Sequence, residues 1–170
     1  MNLALLLVVA AIISFLVIVL FGRSRLQFSD ATEIQPVDMD AFRNLADPRE
    51  SEYLRSRLSG AEFRHVQRMR LRAMAAYVQA VGRNAVVLIR IGQLALNSDK
   101  TETVEASRKL IDEALLLRRN AGVALLRIYL GVLWPNTGFA ATPILEGYER
   151  LSGSAMLLSR LQNPAATVRI

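Results

Sequence analysis

The sequence predicts an all-α protein, with a single N-terminal transmembrane helix and a cytoplasmic helical bundle built on a long antiparallel helix hairpin. Three observations predict it. Leu3–Phe21 is an uncharged apolar run. Beyond residue 37 almost every segment carries helical spacing of its apolar residues. Two segments of thirty-odd residues are joined only by the short polar turn NSDKT at Asn97–Thr101, a connection that usually sets two helices antiparallel.

The run Leu3–Phe21 holds 19 residues, of which fifteen are Leu, Ile, Val or Phe and only Ser14 has a polar side chain. At 1.5 Å per residue it spans roughly 28 Å, close to the hydrocarbon thickness of a bilayer. Insertion of its large apolar residues gains up to about 5–9 kcal/mol. A cleaved signal peptide fits less well. The apolar core is too long, no basic residue precedes it, and the following FGRSRLQF offers no small-residue cleavage site. Residues 1–22 therefore read as a signal-anchor in the lipid bilayer. Arg23 and Arg25 follow it at once, whereas Met1 and Asn2 carry no Lys or Arg. The positive-inside rule places the short N-terminus outside and the rest in the cytoplasm, at a plasma membrane of bacterial type. Ala10 and Ser14 form one small-xxx-small pair, a weak signal for helix pairing.

Residues 23–37 lack sustained periodicity, contain Pro36, and read as a juxtamembrane linker. The helical domain is expected over 38–162. Its first helix falls near 38–46. Asp47-Pro48-Arg49-Glu50 supplies an N-cap, a proline at the first helical position and an early acid, so a helix follows over 48–58. Ser59 and Glu62 match a capping box that opens a long helix over 60–96. Gly82 and Gly92 weaken that helix without breaking it. A second long helix covers 102–134 and stops at Pro135. Thr142-Pro143 reads as N-cap and first position of a last helix over 143–161, and 163–170 as a tail.

Could 73–96 be a second span? Its nine Leu, Ile and Val residues are set against Arg83 and Arg90. The former return roughly 3–5 kcal/mol and each arginine costs about 2.5–3.5. The stretch 121–134 carries only Arg127, yet at 14 residues it covers only about 21 Å. One span is expected.

The chain has 170 residues, 52% of them hydrophobic, and no cysteine. Disulfides, thiolate metal sites and cysteine nucleophiles are excluded. Glu62-Phe-Arg-His65 is an E-x-x-H match, but di-iron bundles need two such motifs and His65 is the only histidine. Nucleotide-binding glycine loops and a nucleophile elbow are absent. Asp38/Asp40 suit a helix start, and Asp112/Glu113 lie within helical reach of Arg108 and Lys109. An enzyme is not expected, nor is any cofactor or metal.

The formal net charge is +6, and nineteen of the 21 basic residues are arginine. The arginines are spread from Arg23 to Arg169, which fits a general preference for Arg over Lys better than one phosphate site. The densest segment, Arg55–Arg72, holds six Arg against one Glu. Arg64, Arg68 and Arg72 repeat at i,i+4, so the simplest reading is a solvated helix face. The functional alternative is a peripheral lipid-binding module that reads anionic headgroups through Arg64, Arg68, Arg70 and Arg72. Nucleic acid is disfavoured, because a single Phe gives no aromatic interleaving. Arg64, Arg68, Arg72, Gln79, Arg83 and Arg90 form one narrow stripe, and from Ala73 to Leu96 nearly everything else is apolar. So wide an apolar arc calls for cover by other helices, a second copy, a membrane-protein partner or lipid. The leading expectation is a membrane-anchored helical scaffold or interaction protein.

Arg-Asn-Ala occurs twice, at Arg83–Ala85 and Arg119–Ala121, each followed by aliphatic residues and Arg-Ile. The following arginines stand seven and eight residues on, so the first pair shares a face to within about 20° while the second diverges by about 80°, and a duplicated motif is not expected. The spacing leaves one structural question: do Arg83 and Arg90 meet Glu113, Asn120 and Arg127 across the hairpin as a register-setting polar seam?

Overall fold

The computed structural model describes residues 33–133 and 141–163. The predicted anchor, most of the linker and the tail lie outside the described residues. Among those described, the chain is an all-helical bundle with long helices, in the order α1 (Met39–Leu45), α2 (Pro48–Arg57), α3 (Gly60–Ala95), α4 (Thr101–Leu133) and α5 (Thr142–Gln162). No described helix is long and apolar enough to cross a membrane.

Local chemistry sets the helix starts. Asp38 accepts from the amide of Ala41 at α1, and Asp47 from that of Arg49 at α2, where Pro48 follows. At α3 the capping box is closed in both directions. Glu62 N donates to Ser59 Oγ at 3.4 Å, and Ser59 N donates to Glu62 Oε2 at 3.0 Å. The Ser59 hydroxyl also donates to Glu62 Oε2 at 2.7 Å. Those bonds, the hydroxyl first and the amide second, hold the Glu62 carboxyl below its ordinary value of 4.5. The carboxylate's share of the cap is therefore complete above that value and is lost as pH falls through the lowered one, while the Glu62 N–H bond to Ser59 Oγ stays.

The start of α5 differs from expectation. Thr142 is the first helical residue and Ala141 occupies the N-cap without a side-chain hydrogen bond. Ala141 is buried in the core, and its carbonyl already accepts from Ile144 N at 2.9 Å. Packing of Ala141, rather than the Thr142 hydroxyl, fixes where the helix begins.

The α3–α4 pair makes the largest helix contact and α4–α5 the next; α1 and α2 dock on α3. Two contacts show the hairpin to be antiparallel. Gly92 lies against Ser107 and Ile111, while Gln79, farther back on α3, donates to the Tyr129 hydroxyl at 2.9 Å, farther on along α4. The core runs along the hairpin through Leu71, Val78, Val81, Leu110, Leu117 and Ile128, and Ile144, Leu151 and Leu158 of α5 close it. Phe42 of α1 is fully buried and stacks on Tyr77 with ring centroids 5.5 Å apart.

The buried side of α4 is built from small residues. Ser107, Leu110, Ala114, Leu117, Ala121, Ala124, Ile128 and Gly131 follow alternating steps of three and four. Such a seam lets helix axes approach closely. At Gly92 the approach is tight, since an added methyl group would lie 2.7 Å from Ile111 Cγ1 and 3.3 Å from the Ser107 carbonyl oxygen.

The end of the expected linker is fastened to α3. Gln35 N donates to Asn84 Oδ1 at 2.8 Å, and Asn84 Nδ2 donates to the Gln35 carbonyl oxygen at 2.7 Å. Arg83 Nε and Nη2 both donate to the Gln35 side-chain oxygen, at 3.3 and 3.0 Å. Asn84 is only 1% exposed, and both the oxygen and the nitrogen of its buried amide find a partner in one main-chain segment. This answers the question of the polar seam for Arg83, which engages Gln35 rather than α4. One polar bond that does cross the hairpin joins Gln79 to Tyr129. Nor are the two Arg-Asn-Ala triplets equivalent: Asn84 is buried and holds Gln35, whereas Asn120 is half-buried.

Candidate basic and apolar face of the hairpin

The four arginines singled out by sequence do not form one group. Arg64, Arg68 and Arg72 are exposed along the first turns of α3. Arg70 is turned the other way and buried, 7% exposed. Its Nη2 donates to the carbonyl oxygen of Leu45 at 2.8 Å and pairs with Glu50 at 2.9 Å. Leu45 is the last residue of α1, where carbonyls lack helical partners and a cation is favoured. Arg70 thus fastens α1 and α2 onto α3 and is not placed to meet a headgroup. Two residues from Arg68 or Arg72 is about 200° of helical rotation, which turns Arg70 to the opposite side of α3.

The neighbouring cations are partly occupied by rings. The Arg55 guanidinium carbon stands 5.7 Å from the centre of the Phe63 ring, and that of Arg57 is 5.6 Å from Tyr53. His65 is exposed, and no three His, Asp or Glu among the described residues are grouped as a metal site. Asp38 is a cap, and Asp40 pairs with Arg43 at 2.8 Å.

A second feature was missed in the sequence. Opposite its buried seam, α4 carries Leu116, Arg119, Val123, Leu126, Leu130 and Leu133, again at steps of three and four. All but the half-buried Leu126 are exposed: Val123 by 43%, Leu130 by 52% and Leu133 by 73%. The outward side chains are larger and more apolar than many that α4 buries. The signal was the period itself, since the segment 114–133 is apolar on both sides and no single helix contact can cover both.

Gln79 joins the two features. It stands seven residues after Arg72 and eleven after Arg68, on the same stripe. Its partner Tyr129 stands three residues after Leu126 and four before Leu133, so it shares their side of α4. Because the helices run antiparallel, Arg68 and Arg72 on α3 and Leu130 and Leu133 on α4 lie toward the same end of the hairpin. Along these stretches of α3 and α4 the charge has one sign. No Asp or Glu occurs between Glu62 and Asp99, or between Glu113 and Glu146. The first interval holds Arg64, Arg68, Arg70, Arg72, Arg83 and Arg90; the second holds Arg118, Arg119 and Arg127.

The arrangement offers binding rather than bond chemistry, because exposed arginines and leucines present no general base or nucleophile. No protein-family model matches the chain, and neither a curated protein nor a solved structure does.

Proposed function

We propose that this chain is a single-pass membrane-anchored helical interaction protein that works by binding through the outer face of the α3–α4 hairpin. The observation that carries the reading is the exposed strip Leu116–Leu133 of α4, with the arginine stripe of α3 beside it. Monomeric soluble domains scatter their exposed apolar residues, whereas contiguous apolar surface marks contact sites. The apolar run Leu3–Phe21 would hold the domain at the cytoplasmic side of the membrane, and the Gln35–Asn84 clasp brings the chain leading from it onto α3.

The test separates binding from folding. Val123 and Leu130 are exposed, so Val123→Glu with Leu130→Glu should leave stability within about 0.5 kcal/mol of the parent in thermal denaturation. The same double substitution should abolish the adducts that a photocrosslinker at Leu116 forms in native membranes. A parent chain that forms no adduct from Leu116 contradicts the proposal.

A further inference from the structure

We infer that the outer face of the hairpin docks on an anionic membrane surface: the α4 strip enters the headgroup boundary and Arg64, Arg68 and Arg72 hold lipid phosphates. The inference rests on the binding reading above and names the occupant of that face.

Charge complementarity selects the occupant. The first helix of the hairpin carries arginines and no acid over residues 63–95, and the second does so over 114–133. An anionic leaflet supplies the opposite sign over the whole area, and the guanidinium fork matches phosphate oxygens. Placement agrees with charge. The strip from Leu116 to Leu133 is a helix face about 26 Å long, and because Gln79 stands level with Tyr129, Arg72, Arg68 and Arg64 follow in that order past its Leu133 end. An apolar face bordered by arginines is the form of a helix that lies in the plane of the interface. The buried Arg70 takes no part.

The experiment uses the full chain with a photoreactive benzophenone amino acid in place of Leu130. It is reconstituted at high dilution into vesicles of zwitterionic lipid alone or with added anionic lipid, and irradiated in parallel in native membranes. Lipid adducts are expected in the anionic vesicles and should fall with neutral lipid and with raised salt. Each headgroup-facing arginine contributes about fivefold to surface partitioning. Arg64→Gln, Arg68→Gln and Arg72→Gln together should therefore reduce docking by about 100-fold, to the neutral-lipid level. The triple lysine variant should restore most of it, and melting curves of both variants confirm an intact fold. Equal lipid adducts in both vesicle types would overturn headgroup recognition. Adducts to protein alone in native membranes, a second copy included, would overturn the lipid assignment and leave the binding reading standing. If neither lipid nor protein adducts form, both fail.

Discussion

Arg70→Ala is expected to destabilise the protein by about 2–3 kcal/mol, more than any substitution at Arg64, Arg68 or Arg72. The single guanidinium nitrogen Nη2 serves both the Leu45 carbonyl and the Glu50 carboxylate. Truncation removes both bonds, leaves the last carbonyl of α1 without its donor and opens space where the arginine stem packs. The cost stays below that of a fully buried pair for two reasons. Glu50 is more than half exposed and regains water, and Arg70 Nε and Nη1 are buried without hydrogen-bond partners among the described residues. Arg70→Met keeps the stem without the unpartnered nitrogens and should cost about 1 kcal/mol less than Arg70→Ala. Denaturant melts of the full chain measure both. If Arg70 were a headgroup ligand, the alanine variant would melt like the parent.

Gly92→Ala is the second large effect, expected at about 1–3 kcal/mol of lost stability, or a melting point about 2–10 °C lower. In an isolated helix this substitution stabilises, since alanine has the higher propensity. Here the new methyl would stand 2.7 Å from Ile111 Cγ1 and 3.3 Å from the Ser107 carbonyl oxygen. The isoleucine can turn or be cut back, but the carbonyl belongs to the α4 backbone and cannot yield without moving the helix. Adding Ile111→Ala should therefore recover only part of the loss, and a double-mutant cycle in thermal denaturation reads the coupling. Gly147 makes a useful contrast. Its nearest neighbour would be the flexible Leu117 Cδ1 at 3.0 Å, so Gly147→Ala should be the milder of the two.

What the sequence made legible was the chemistry of near neighbours. The cap at Asp47-Pro48 and the box of Ser59 with Glu62 are complete within a few residues, and the structure contains both. The all-helical bundle with its long helices follows from the same periodicity. Distant partners left no local mark. Nothing near Asn84 indicates that its amide holds Gln35, 49 residues earlier, and nothing near Gln79 announces Tyr129. Gly92 reads locally as a weak point in a helix, and only the approach of α4 makes it a requirement. Arg70 belongs by composition to the dense basic run, but helical phase separates it from Arg68 and Arg72. The outward strip of α4 was present in the spacing, hidden because the inward seam of the same helix has the same period.

The central proposal, that the chain is held at a membrane with the outer face of its hairpin occupied, is open to a direct measurement. The chain has no cysteine, so single substitutions report cleanly on individual sites. Val123→Cys tests the apolar strip, and Glu105→Cys tests the polar first turns of α4, where Glu105 is exposed. Both positions are open to solvent in the chain alone, so protection of either must come from an occupant. In inverted native membrane vesicles, the thiol at position 123 should react several-fold more slowly with a membrane-impermeant maleimide than the thiol at position 105. Equal rates at the two positions would contradict the account.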